Sequence, residues 1–228
     1  MRTIIVAVVI LLLTAAGYFG HKKYEEHKFV ESITLHVKNA SVRVANAVRY
    51  NQEPNKITYN EFFAKLDTDV SDIDKRILEI QISSTPVTKE KTDAIVSYLR
   101  ACQRLLRSIV AKDRKSIAVD STVEWARQRK EYVEDVLDNG SSIVKSTLKT
   151  SLLKATKESM DALKKAQYEW EEAISDLSAA ARELSDSRSK VLGVVSVDSL
   201  IDSAALERIV NDHDIKKLRA PKPSSEKK

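Results

Sequence analysis

The sequence predicts an all-α protein, and three observations carry the prediction. Only four Gly and four Pro punctuate 228 residues, whereas an all-β chain needs a turn every ten or so residues. Charged residues make up 31% and aromatics 6%, on a background rich in Ala, Leu, Glu, Lys and Ser, the usual helix formers. Between the breakers, apolar residues recur at alternating spacings of three and four, the mark of a helix with one buried stripe. The expected architecture is an N-terminal transmembrane helix, then an elongated antiparallel up-and-down helical bundle with one long helix of about 48 residues. Three regions follow: an anchor at 1–23, the bundle at 24–219 and a disordered tail at 220–228.

Residues 3–19 form an uncharged run of 17, with Arg2 before it and His21, Lys22 and Lys23 after it. As a helix it measures about 25 Å, slightly short of a ~30 Å hydrocarbon core, a gap that snorkelling Arg2 and Lys22 can close. Ile4, Val9, Leu12 and Phe19 mark the anchor. The competing reading is a cleaved export signal, for which Thr14-Ala15-Ala16 offers a poor cleavage site. Retention is favoured because no Pro precedes the possible cut and helical pattern resumes at once. Lys22, Lys23 and Lys28 outnumber Arg2, which favours a cytoplasmic body. Long domains translocate largely regardless of flanking charge, and a two-residue head before an apolar run is the layout of an export signal. The expectation is therefore a single-pass inner-membrane protein with an extracytoplasmic, periplasmic body.

Each helix of the body has its own warrant. Residues 24–50 carry Val30, Ile33, Val37, Ala40, Val44 and Ala47 as one seam. After a loop at 51–55, Thr58 and Glu61 form a capping box, each side chain satisfying a free N–H at a helix start. The helix they open shows Tyr59, Phe63, Leu66, Val70, Ile73, Ile77 and Ile80 in unbroken 4-3 alternation and ends at Ser83-Ser84-Thr85-Pro86. Pro86 suits the first turn of a third helix over 87–117, with Ile95, Leu99, Cys102, Leu106 and Ile109 buried. A second capping box, Ser121 with Glu124, predicts a short fourth helix to Leu137, closed by a left-handed cap at Asp138-Asn139-Gly140. The long helix spans 143–190, with Leu163, Trp170, Ile174, Leu177, Ala181 and Leu184 at heptad spacing and Gln167 as the polar interruption. Gly193 ends it, and a last helix over 199–218 takes Asp198 as its cap.

Chemistry is sparse along this chain. The acidic stretch 67–74 (DTDVSDID) resembles a calcium loop, but its sixth and twelfth places hold Asp72 and Leu78 instead of Gly and Glu. It reads as a solvated helix face. Arg100, Arg104, Arg107 and Arg114 form an outward basic stripe that could face a polyanion, or simply pair with the acidic helix before it. No aromatic residue interleaves to stack bases, so no nucleic-acid partner is expected. His21, His27, His36 and His213 are scattered, and the lone Cys102 lies on a buried seam without a nearby base. Trp125 and Trp170 read as core or seam residues rather than a ligand platform. Neither cofactor nor metal is expected, and no catalytic group can be nominated. The net charge of +5, with signs interspersed, names no partner by itself.

The functional expectation is a non-enzymatic envelope protein of structural or adaptor type, presenting helical surface to another envelope protein or to itself, with the lipid bilayer as its other partner. A ligand-sensing bundle is the alternative. It would need a partner subunit as transducer, because only Met1 and Arg2 lie beyond the anchor. Inner-membrane phage lysis proteins of the spanin type share the layout of an anchor followed by helices, without a matching motif here.

Overall fold

The computed structural model describes the backbone of residues 2–52 and 58–212, with side chains for 14–49, 58–143 and 148–209. Among these residues there is no strand. Five α-helices follow one another: α1 Arg2–Gln52, α2 Tyr59–Ile82, α3 Lys89–Asn139, α4 Ser142–Val191 and, after a 3-10 turn at Val197–Ser199, α5 Ser203–Asp212. The all-helical expectation stands, and the long helix is present as the 50-residue α4, matched in length by α1 and α3 at 51 residues each. Among the described residues no helix is long and apolar enough to cross a membrane. Of the anchor residues, Ile4, Val9 and Leu12 lie outside the described side chains, and Phe19 is exposed. The loop at 53–57 and the tail at 220–228 also lie outside the described residues.

Two compact units divide the chain. The first comprises Met1–Arg107 and Ala180–Arg208, the second Ser108–Ala179 and Ile209–Lys228. In the first, the seam of α1 is buried from Ile33 through Ala47, and so are Leu66 and Ile80 of α2, Ile95, Leu99 and Leu106 of α3, and Leu184, Ile201 and Leu206. Burying each such side chain contributes about 2 kcal/mol, which offsets the cost of ordering the chain. Arg43 on α1 clamps two carboxylates of α2, Asp69 at 2.7 Å and Asp72 at 3.0 Å. Lys91 on α3 reaches Glu26 on α1 at 3.1 Å.

The start of α2 is as expected. Thr58 Oγ1 accepts from the Glu61 N–H, and the Glu61 carboxylate accepts from the Thr58 N–H at 2.9 Å. Those hydrogen bonds from Thr58, the backbone one foremost, hold the Glu61 carboxyl below its ordinary range. The stripe behind it is rotated in its first half. Phe62 and Asp69 are buried, Phe63 and Val70 only half-buried, and Tyr59 is exposed. Asp69 can occupy a core position because Arg43 meets it there, so the face turns by one residue from the purely apolar reading.

Four boundaries differ from expectation. Pro86 sits in a turn in which Thr88 N–H bonds to the Thr85 carbonyl, and α3 starts at Lys89. The break at Asp120-Ser121 does not exist: α3 continues to Asn139, merging the third and fourth expected helices. Ser121 Oγ donates backwards to the Ile117 carbonyl at 2.8 Å, and the Glu124 carboxylate accepts from Arg127 and Gln128. With the helix continuous, no free N–H is left for the box to cap. Gly140 is not left-handed, since no glycine among the described residues has positive φ. Glycine is used there for closeness, because a Cβ would run into the Val136 carbonyl oxygen. Finally, α5 begins at Ser203 with Asp202 as the cap, whose carboxylate accepts from the Ala204 N–H at 3.1 Å, and not with Asp198.

Candidate functional site

The expected sites resolve first. On α3, Arg104 pairs with Glu183 on α4, and Arg107 approaches Asp74 on α2 at 3.6 Å. Arg100 and Arg114 are exposed, Arg114 within the second unit. Arg104 and Arg107 therefore spend their charge on carboxylates of their own chain. The acidic stretch 67–74 is helical and is no simple solvated face, since Asp69 is buried against Arg43. Burial raises the Asp69 carboxyl above the usual range, although Arg43 opposes the shift. Cys102 is buried as expected, and burial pushes its thiol up to about 12, so it is a packing group. Among the described residues, no group of His, Cys, Asp and Glu is placed to hold a metal ion.

One feature of the first unit escaped the sequence reading. Tyr98 is fully buried on α3, and its hydroxyl lies 2.8 Å from Ser41 Oγ on α1 and 3.2 Å from the backbone nitrogen of Ile201. Ser41 Oγ itself donates to the Val37 carbonyl. The direction of the chain is thus set: Ile201 N–H to Tyr98, Tyr98 to Ser41, Ser41 to Val37. Burial holds the Tyr98 hydroxyl far above its ordinary range, so it stays protonated and keeps donating. The chain ties α1, α3 and the segment before α5 together.

The second unit is different in kind. It is built on a helical hairpin, the C-terminal part of α3 and the N-terminal part of α4, joined by only Gly140 and Ser141. Lys115 pairs with Glu169 across it, and this bond together with Lys165 lowers the Glu169 carboxyl. Towards the tip, Trp125, Tyr132 and Val133 on α3 and Leu148 and Leu152 on α4 line an open groove of about 440 Å³. Val133 and Leu152 form its buried floor, whereas Trp125 is 41% and Tyr132 61% exposed. The Arg129 guanidinium lies over the Trp125 ring at 5.5 Å. Trp125 is therefore neither core nor seam. Trp170 is half-buried further along α4, and its indole nitrogen is buried without a hydrogen-bond partner among the described residues.

Two helices cannot shield an apolar seam on every side, so a groove floored by Val133 and Leu152 and rimmed by aromatics is surface available for docking. Gln128, Arg129 and Ser151 are the further polar residues of its lining. The chain matches no protein-family model, no curated protein and no solved structure.

Proposed function

We propose that this is a non-enzymatic structural or adaptor protein of the cell envelope. It is anchored once in the inner membrane and holds its helical body outside the cytoplasm, where the hairpin groove engages another envelope protein or a second copy. The observation that carries this reading is where apolar surface is left uncovered. On α1, residues 14–24 are exposed apart from Ala15, with Tyr18 at 65% and Phe19 at 62%. That uncovered stretch includes the last six residues of the uncharged run 3–19. Aromatic rings followed by Lys22 and Lys23 suit the boundary between hydrocarbon and headgroups. The second uncovered region is the hairpin groove.

The groove also supports a second reading, a bundle that senses a small ligand through a partner subunit, because its volume falls within the ~300–1,000 Å³ of small-molecule sites. A photoreactive side chain at position 132 of the full chain, irradiated in cells, separates the two. Adduct to a protein supports the adaptor, and its absence removes that reading. Intact mass of the membrane-extracted chain tests the anchor, which a mature N-terminus at Gly17 or an extractable soluble form would overturn. A periplasm-dependent reporter fused after Lys228 tests the side of the membrane on which the body lies.

A further inference from the structure

We infer that the hairpin groove docks onto the same groove of a second copy of this chain, each α3 arm lying against the other copy's α4 arm in a four-helix bundle. The inference rests on the adaptor reading and names its partner. Charge decides for self-docking. Residues 131–139 at the end of α3 carry Glu131, Glu134, Asp135 and Asp138 and no cation. Residues 142–157 at the start of α4 carry Lys145, Lys149, Lys154 and Lys157 and no carboxylate. The hairpin tip thus has an acidic arm and a basic arm side by side.

The ion pairs of this region include several that run along one helix: Lys130 with Glu134, Arg127 with Glu131, and Lys154 with Glu158. A two-fold axis parallel to the hairpin, with the grooves facing, places α3 over the second copy's α4 and α4 over its α3. Every adjacent pair of helices is then antiparallel, and acidic meets basic twice, as an isologous interface requires. Within the bundle Trp125 and Tyr132 would face the second copy's Leu148 and Leu152, closing the groove around the aromatic residues that usually dominate such interfaces. Residues 121–139 span about 28 Å at ~1.5 Å per residue. Two faces of that length and two helices' width bury on the order of 1,000 Å² together, near the lower limit for a specific interface. With so modest an apolar area, complementary charge sets the choice of partner.

The test uses the full chain, purified in mild detergent and followed by sedimentation. Wild type is expected to dimerise, less so as salt is raised. The triple variants Glu131→Lys/Glu134→Lys/Asp135→Lys and Lys149→Glu/Lys154→Glu/Lys157→Glu change only exposed side chains. Each should retain wild-type helicity and self-associate ~100-fold more weakly. Mixed, differently tagged copies of the two should recover a heterodimer, because one now carries two acidic arms and the other two basic ones. A monomeric wild type, variants that dimerise like wild type, or a mixture that stays monomeric would each overturn the inference. Crosslinking from position 132 separates its failure from that of the adaptor reading. An adduct of two copies supports self-docking, an adduct with a different protein overturns it while the adaptor stands, and no adduct removes both.

Discussion

The two units bury very different things. In the first, α1, α2, α3 and the end of α4 enclose large apolar side chains completely, among them Ile33, Leu66, Ile95, Leu99, Leu106 and Leu184. Its buried Tyr98 and Ser41 hydroxyls are tied into one chain from Ile201 to Val37. In the second, from Ala111 to Tyr132 on α3 the buried residues are Lys112 and Asp113, an adjacent ion pair. From Leu153 to Glu172 on α4 the only one is Ser159, whose hydroxyl bonds to the Ala155 carbonyl. Buried ion pairs and hydroxyls contribute little net stability compared with packed hydrocarbon. The second unit packs hydrocarbon at Ile109, Val110, Ile174 and Leu177 and under the groove at Val133 and Leu152, but along neither 111–132 nor 153–172.

The sharpest break of that contrast is Ile73→Asp. Ile73 is buried mid-seam on α2, and an unpaired carboxylate there should cost on the order of 4 kcal/mol and unfold the first unit at ambient temperature. Leu153→Asp, at an exposed site in the hairpin, should leave the melting temperature within about 2 °C. Equal losses in calorimetry would mean that the two units share one core. Tyr98→Phe comes next. It keeps the ring but strands the Ile201 N–H in a buried setting, for a loss of ~1–3 kcal/mol, read from the midpoint of urea unfolding.

Asp69 gives a dependence on pH. Its carboxyl is raised by burial, so the folded state binds its proton more tightly than the unfolded state does. That contribution to stability is fully present below the unfolded pKa and is lost as pH rises through the folded one. Asp69→Asn should remove that component from the slope of melting temperature against pH, just above the ordinary carboxylate range. An unchanged slope would show that Arg43 fully compensates the burial. The smallest effect belongs to Arg104→Ala. Its bond to Glu183 lies between partners that are both more than a third exposed, and its loss should cost at most ~0.5 kcal/mol.

Signals that act within one turn of helix were legible. The Thr58–Glu61 box and the seams of α1 and α3 depend only on neighbours a few residues away, and they occur where expected, whereas the α4 seam is buried from Ile174 to Leu184 but only half-buried at Leu163 and Trp170. The Ser121–Glu124 pair shows the limit of that logic. The same two side chains satisfy themselves inside a continuous helix, and no Gly or Pro between 117 and 124 forces a break. What depended on distant partners was hidden. A carboxylate at position 69 reads as solvent-facing until Arg43, 26 residues away, is brought to it. The Tyr98 hydroxyl reads as an ordinary helix residue until Ser41 and Ile201, 57 and 103 residues away, arrive. The groove belongs to the same class, since Trp125 and Leu152 become neighbours only through the turn at Gly140.

The first unit is made of two segments of chain parted by residues 108–179, and this sets an order of events during synthesis. By the time residue 107 has left the ribosome, α1, α2 and the start of α3 are complete, yet the Tyr98 hydroxyl lacks its donor and the places of Leu184, Ile201 and Leu206 in the core are empty. Seventy-two residues of hairpin, Ser108–Ala179, must then be made before the closing segment appears. At ~5–20 residues per second that interval lasts several seconds, long compared with the folding of a helix. Throughout it the nascent first unit exposes apolar seams, as a substrate for holding chaperones.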